Sequence, residues 1–206
     1  MAENASPPYP LRFTVDYPER LNRLTTAFRP LWLVPIFIVL VLVSGTGSAK
    51  TISLGGGGMV FLGPLLMVLF RQKYPRWWFD WNLELLRFGS RVGASAMLLT
   101  DTYPSTDDHQ AVHLDIPYPD AESELNRWLP LVKWLLAFPH YVILALLAVV
   151  SVFAVIFAWF AILFTGNYPK GLFAFVVGTM RWANRVLAYA FLLVTDRYPP
   201  FSLAAD

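Results

Sequence analysis

The sequence predicts a mainly α-helical integral membrane protein, made by tandem duplication of one module. Each module holds an apolar transmembrane hairpin or span with amphipathic interfacial helices beside it. Three observations carry this. Of 206 residues, 56% are hydrophobic, 16% aromatic and only 15% charged, where soluble domains carry roughly 25% charged residues. Long apolar runs occur in both halves. The chain also repeats itself: "LLTDTYP" at 98–104 returns as "LLVTDRYPP" at 192–200, and "RQKYPRWWF" at 71–79 returns as "TGNYPKGLF" at 165–173.

The echoes form an ordered series. "YPERLNRL" from Tyr17 matches "YPDAESELNRWL" from Tyr118, with four more residues in the second copy. Asn22-Arg23 then corresponds to Asn126-Arg127 and Pro35 to Pro139, both at an offset of 104. Tyr74-Pro75 corresponds to Tyr168-Pro169, Arg87 to Arg181 and Arg91 to Arg185, all at 94. Thr100-Asp101 and Tyr103-Pro104 correspond to Thr195-Asp196 and Tyr198-Pro199 at 95. A duplication divides the chain into a first unit over 1–106, an acidic aqueous linker over 107–117 and a second unit over 118–206. The Tyr-Pro fragments punctuate the helices, because Pro ends a helix and Asp accepts nearby backbone N–H groups.

The first 28 residues are polar and Pro-rich and lack the basic, apolar and small-residue succession of a secretory signal, so this N-terminus is expected to be retained. Two spans follow, at about 30–49 and 52–70, each just long enough for a hydrocarbon core of about 30 Å. Pro35 interrupts the first, and the four glycines Gly55–Gly58 weaken helix in the second and suit close packing on a neighbour. The second unit holds an apolar segment over 129–164, in which Pro139 should break or kink the helix. The stretch 141–164 beyond it is either one tilted span or a re-entrant hairpin turning near Ser151. Duplication and charge favour the hairpin, while the lack of Gly and Pro favours the single span. Residues 121–138 upstream read as an interfacial helix. Between the halves a short strand is expected at 111–116.

After each apolar region comes an amphipathic helix, over 76–99 and 171–195. In the first, Asp80, Glu84, Arg87, Arg91 and Ser95 share a face, and Glu84 can pair with Arg87. In the second, Arg181 and Arg185 hold the matching positions. Crossing the bilayer would cost roughly 2.5–3.5 kcal/mol for each central arginine, so these helices are expected to lie in the interface. Basic residues flank the first hairpin at both ends (Arg20, Arg23 and Arg29; Arg71, Lys73 and Arg76), which places the interfacial helices on the cytoplasmic side of a multi-pass protein.

Residues 125–203 are similar to a bacterial membrane family catalogued as domain of unknown function 4389. The resemblance rests on Pro139-His140, on "WFAILFTGNYPKGLF" at 159–173 with its Tyr168-Pro169, and on the ending "LLVTDRYPPFSL" at 192–203 with Asp196, Tyr198 and Pro199. The first half shares only the skeleton, with Val34-Pro35-Ile36 where Pro-His would stand. The resemblance implies the bacterial cytoplasmic membrane and no particular activity.

Site chemistry is sparse. The chain has no cysteine, which excludes disulfides, thiolate metal sites and a Cys nucleophile. There is no phosphate loop, Rossmann fingerprint, metalloprotease motif or nucleophile elbow. His109 and His113 stand at i,i+4 among Asp107, Asp108 and Asp115, but in a loop or strand, and read as solvated polar residues. A net charge of +2 is too small for a nucleic-acid binder. Arg87, Arg91, Arg181 and Arg185 form either a polar face inside the fold or a site for anionic lipid headgroups. The expectation is a non-enzymatic membrane protein without a cofactor. It would be a subunit or scaffold of a larger complex, partnered by the bilayer and other proteins, with lipid handling as the alternative and a small transporter or enzyme behind it.

Overall fold

The computed structural model describes residues 9–44, 56–106, 108 and 110–205. Asp107 and His109 of the histidine–aspartate cluster lie outside them, as does most of the glycine-rich connection between the first two apolar runs. The order is β1 (Arg12–Val15), α1 (Arg23–Ser44), α2 (Gly56–Arg71), α3 (Arg76–Ala96), β2 (Val112–Asp115), α4 (Pro130–Leu136), α5 (Phe138–Thr165) and α6 (Lys170–Ala190).

The strand expected at 111–116 is β2, and it pairs antiparallel with β1, which the sequence reading missed. The signal for β1 was present. In "LRFTVD" Leu11, Phe13 and Val15 alternate with Arg12, Thr14 and Asp16, and only the first set is buried, as a half-buried strand requires. Phe13 sits opposite Leu114, and the buried side chains of both strands enter the main core.

Helix bounds correct the expectations in several places. α1 begins at Arg23, seven residues before the expected span, because Asn22 caps it: the Asn22 Oδ1 accepts from the Leu24 N–H at 2.9 Å. Pro30 and Pro35 both lie inside α1 without ending it. The interfacial helix expected over 121–138 is only the seven-residue α4. Pro139 does not interrupt α5 but occupies its first turn, where an N–H would be unpaired in any case. α5 is one continuous helix of 28 residues, about 42 Å long. The re-entrant hairpin is therefore not formed. Ser151 faces inward, and without Gly or Pro nothing offsets the cost of turning the backbone there. α3 and α6 stop at Ala96 and Ala190, short of the expected 99 and 195. Leu98 and Leu193 turn left-handed, with φ of 62° and 58°. The Leu99 and Val194 N–H groups then return to the Ala94 and Ala188 carbonyls at 2.9 and 3.2 Å, which consumes helix-end acceptors.

Among the described residues, two helices are long and apolar enough to cross a membrane, over Arg23–Leu42 and Phe138–Thr165. Only 22% and 17% of their most apolar stretches are buried within the protein, so neither is a central core helix. On α5 the exposed residues Val142, Leu146, Val149, Phe153, Phe157, Phe160 and Phe164 form one continuous stripe.

Contacts between the halves come in matched pairs. β1 packs on α6, in the other half, and β2, in the segment read as the linker, packs on α3. The Arg181 Nε–H donates to the Phe13 carbonyl at 2.9 Å, and the Arg87 Nε–H to the Leu114 carbonyl at 2.8 Å. The Tyr17 hydroxyl reaches the Tyr168 carbonyl, and the Tyr118 hydroxyl the Tyr74 carbonyl. Tyr17 meets the edge of Phe173 with centroids 5.0 Å apart, and Tyr118 meets Phe79 at 5.2 Å. Ser90 and Asn184 meet each other, the Asn184 Nδ2 donating to the Ser90 Oγ at 3.3 Å.

Helix contact at glycine yields a test. A Cβ on Gly63 would fall 1.9 Å from the Trp78 ring, whereas one on Gly89 meets nothing within 4 Å. Gly63→Ala should cost about 1–3 kcal/mol by overpacking. Gly89→Ala should be neutral or gain up to about 1 kcal/mol from helix propensity. Thermal unfolding of the purified variants in detergent separates the two.

Candidate functional site

The most highly organised polar chemistry lies at two ion pairs, each setting a buried cation near the start of an apolar helix against a half-buried carboxylate in the turn after an amphipathic one. At the first, Arg29 of α1 contacts Asp101, which follows α3. The guanidinium also donates through Nη1 to the Thr100 carbonyl at 2.6 Å and to the Ser95 Oγ at 3.1 Å. Asp101 in turn accepts from the Asn22 N–H at 2.5 Å and the Thr25 hydroxyl at 3.1 Å. One carboxylate thus holds the cation and the first turn of α1 together.

The second node repeats the plan. The Lys133 Nζ, fully buried, stands 2.6 Å from Asp196 and donates to the Thr195 carbonyl at 2.7 Å. Asp196 accepts from the Asn126 N–H at 2.5 Å, and the Asn126 Oδ1 from the Trp128 N–H at 2.9 Å. Burial pushes the Lys133 ammonium below its ordinary value, and the neighbouring Asp196 carboxylate opposes that shift. Arg29 and Lys133 are separated by 104 residues and Asp101 and Asp196 by 95, the same offsets that separate the echoing sequence fragments. Sequence reasoning expected Asp101 and Asp196 to accept from backbone N–H groups, as they do at Asn22 and Asn126. It missed Arg29 and Lys133 as their partners, although the same offset marks them.

Surroundings differ between the nodes. Lys133 sits 5.2 Å from the centre of the Tyr189 ring, whereas Arg29 has the small Ser95 in the equivalent place. Beside Lys133, His140 is fully buried in an aromatic nest. Its ring stacks on Phe201 at 4.0 Å and lies 4.8 Å from Tyr198. The Trp182 Nε1–H donates to His140 Nδ1 at 3.0 Å, which leaves the ring proton on Nε2. The Tyr198 hydroxyl closes the nest on the Leu136 carbonyl at 3.1 Å. Beside Arg29 lies a cavity of about 650 Å³, bordered by Trp32, Leu33, Ser95, Asp101 and Tyr103. A second, of about 450 Å³, opens between α1 and α5 on the other side of Arg29.

The predicted arginine face is engaged by protein groups. Arg87 pairs with Glu84, as expected, and with Asp115, each at 2.7 Å. Arg91 donates to the Ser105 and Thr106 carbonyls, both at 3.0 Å. Arg181 holds the Leu203 carbonyl at 2.7 Å, and Arg185 those of Ser202 and Ala204 at 3.3 and 3.2 Å. Each pair therefore anchors the tail or strand that crosses it. Of the remaining motif residues, Pro169 is the N-cap of α6, and Pro199 is buried behind Tyr198. The Tyr168 hydroxyl reaches the Met97 carbonyl at 3.4 Å, while its counterpart Tyr74 donates to the Leu192 carbonyl at 2.8 Å. His113 pairs with Asp16 across the sheet at 3.0 Å, and no cluster of three metal-ligating side chains occurs among the described residues.

Residues 128–202 match the family model described as Domain of unknown function (DUF4389), and the N-terminal half matches none. The match contains Pro139-His140, the second ion pair and the aromatic nest. No curated protein and no solved structure matches the chain.

Removing one partner of a buried ion pair strands the other. Asp196→Asn should destabilise the fold by about 3–5 kcal/mol, and the double variant Lys133→Met/Asp196→Asn should recover much of that loss. Chemical or thermal unfolding of both variants in detergent checks the order. A second test is pH. Burial raises the Tyr74 and Tyr168 phenols above their ordinary 10.0, so the folded chain keeps protons that the unfolded chain releases. Their contribution is fully present below pH 10 and lost as pH climbs beyond it. The stability lost between about pH 9 and 11 should be smaller in Tyr74→Phe/Tyr168→Phe than in the wild type.

Proposed function

We propose that this chain is a non-catalytic integral membrane module, built from two copies of one unit, that serves as a subunit or scaffold of a larger bacterial membrane complex. The observation that carries the reading is the disposition of surface. α1 and α5 present long apolar faces outward, while the polar groups of the motif residues are turned inward onto backbone carbonyls and counter-ions. An apolar face of this extent on a monomer marks contact with lipid or protein. The inward polar groups hold helix ends in place and present no nucleophile or general base to a substrate.

Support for two copies of one unit comes from the matched contacts: the two ion pairs, the two asparagine caps, the two left-handed leucines and the two exchanged tyrosines. In this reading α5 crosses the cytoplasmic membrane, α1 and α2 form the corresponding limb of the first unit, and α3 and α6 lie at the cytoplasmic interface. The geometry favours the scaffold over anionic-lipid binding at Arg87, Arg91, Arg181 and Arg185, because each guanidinium already holds protein acceptors.

The test is a pulldown of the tagged native protein in gentle detergent, with mass spectrometry of proteins and lipids. A protein partner at fixed stoichiometry is expected. Enriched anionic lipid with no such partner, lost when Arg181 and Arg185 become Gln without loss of folding, would overturn the scaffold in favour of lipid handling. Topology has its own check, because the chain has no cysteine. A single cysteine at Val149 of α5 should resist a membrane-impermeant maleimide in intact membranes, and one at Glu122 should react once the cytoplasmic side is opened.

A further inference from the structure

We propose that the groove between the α2–α3 turn and residues 118–122 binds the headgroup of an ethanolamine phospholipid, with its phosphate on Arg71 and Lys73 and its ammonium on Asp120 and Glu122. The lipid as occupant rests on the membrane reading above; the groove and its charges do not.

The groove measures about 530 Å³, within the range of ordinary small-molecule sites, and all four charged residues border it. Its two walls are fixed to each other. The Tyr118 hydroxyl donates to the Tyr74 carbonyl, and the Arg127 Nη2 donates to the Gln72 Oε1 at 2.9 Å. The Arg76 guanidinium lies 5.1 Å from the centre of the Tyr118 ring. Arg71, Lys73 and Glu122 are exposed, and their side chains have no hydrogen-bond or ion-pair partner among the described residues. Asp120 is exposed as well, and it is held in place by the Ser123 hydroxyl at 2.7 Å and the Glu122 N–H at 3.1 Å. Those two donors, the Ser123 hydroxyl above all, keep its carboxyl below the ordinary value, so it stays charged.

The other half builds the same corner without these charges. Thr165 and Asn167 stand 94 residues on from Arg71 and Lys73. Gly166 turns left-handed there with φ of 80°, as Gln72 does with φ of 46°. Lys170 lies 5.7 Å from the Tyr17 ring, as Arg76 lies over Tyr118. The corner therefore folds without a cation at either added position. Across the groove, the first half has only Glu19 and Arg20 between its Tyr-Pro and Leu-Asn-Arg. The second has residues 120–124, "DAESE", which bring Asp120 and Glu122. Cations on one wall thus face carboxylates on the other, and no ion pair joins the walls among the described residues.

The chemistry of the walls selects the ligand. A simple anion or cation would leave one wall unmatched, whereas a headgroup with phosphate at one end and ammonium at the other meets both. A primary ammonium donates hydrogen bonds to carboxylates. A trimethylammonium has none to donate and is held by open aromatic faces, and at Tyr118 the guanidinium of Arg76 already takes that place. Met67 borders the groove, and Leu66 and Phe70 beside it on α2 are 49% and 72% exposed. Acyl tails lie along that apolar surface while the headgroup stays at the basic end of the helix.

The experiment titrates the purified full-length chain in detergent micelles with phosphatidylethanolamine, phosphatidylcholine and phosphatidylglycerol of identical acyl chains, and counts bound lipid by native mass spectrometry. One saturable equivalent of the ethanolamine lipid is expected, retained several-fold over the other two. Arg71→Gln/Lys73→Gln should weaken it by roughly tenfold, the loss of two exposed charge contacts. Asp120→Asn/Glu122→Gln should remove the preference over phosphatidylglycerol, a change of selectivity that a merely structural role would not produce. Glu122→Gln alone, at a carboxylate with no partner in the fold, should reduce that preference without moving the unfolding temperature. Glycerophosphoethanolamine, the headgroup without tails, should displace the lipid only in large excess. Displacement at equal concentration, no saturable equivalent, equal retention of the three lipids, or unchanged selectivity in both carboxylate variants would overturn the proposal. The labelling of Val149→Cys judges the membrane reading separately. Protection there with no selective binding overturns the headgroup site alone, and labelling there overturns the membrane reading and the lipid as occupant together.

Discussion

A cation placed where water cannot reach must bring its own counter-charge and acceptors, and the fold is arranged around meeting that demand twice. Arg29 and Lys133 each sit one turn or two inside an apolar helix and are buried. Neither has a partner on its own helix, so the chain must return after α3 and α6 to deliver Asp101 and Asp196. The same carboxylates accept the backbone N–H groups of Asn22 and Asn126. Helix start, cation and returning turn thereby become one cooperative unit, in which each member leaves another unsatisfied if it is lost.

The left-handed leucines follow from this demand. To bring Thr100-Asp101 and Thr195-Asp196 back to the cations, α3 and α6 must end abruptly at a point where the sequence offers leucine and no glycine. Positive φ at leucine is unfavourable. It persists because Leu98 and Leu193 are buried and the next N–H groups recapture helix-end carbonyls. Packing and hydrogen bonds on both sides hold a conformation that leucine alone would not adopt.

Exchange across the centre explains why the halves do not separate. β1 lies on α6 and β2 on α3, and the Tyr17 and Tyr118 hydroxyls reach the Tyr168 and Tyr74 carbonyls across the two halves. The arginines of α3 and α6 hold the strands and tails in place through carbonyl contacts that charge pairing alone would not have suggested. Symmetry of this kind also exposes its departures. Where the second half carries Tyr189, His140 and Phe201, the first carries Ser95, Ile36 and Thr106. The half without the aromatic nest is the half with the open cavity.

The sequence by itself determined the helical class, the register of the two amphipathic helices, the Glu84–Arg87 pair and the strand β2. All of these are local: they depend on periodicity and on partners three or four residues away. It also contained the offsets that pair Arg29 with Lys133 and Asp101 with Asp196, although spacing alone does not say which charges meet. Tertiary structure decided what depends on distant partners. It made α5 one helix where analogy with the first unit favoured a hairpin, because a turn without Gly or Pro would leave backbone groups unpaired. It found β1, a strand of four residues with no stability until β2 and α6 cover it. And it assigned the arginines to carbonyls and left a cavity beside Arg29, because carbonyl positions and empty space arise only when the two halves close on each other.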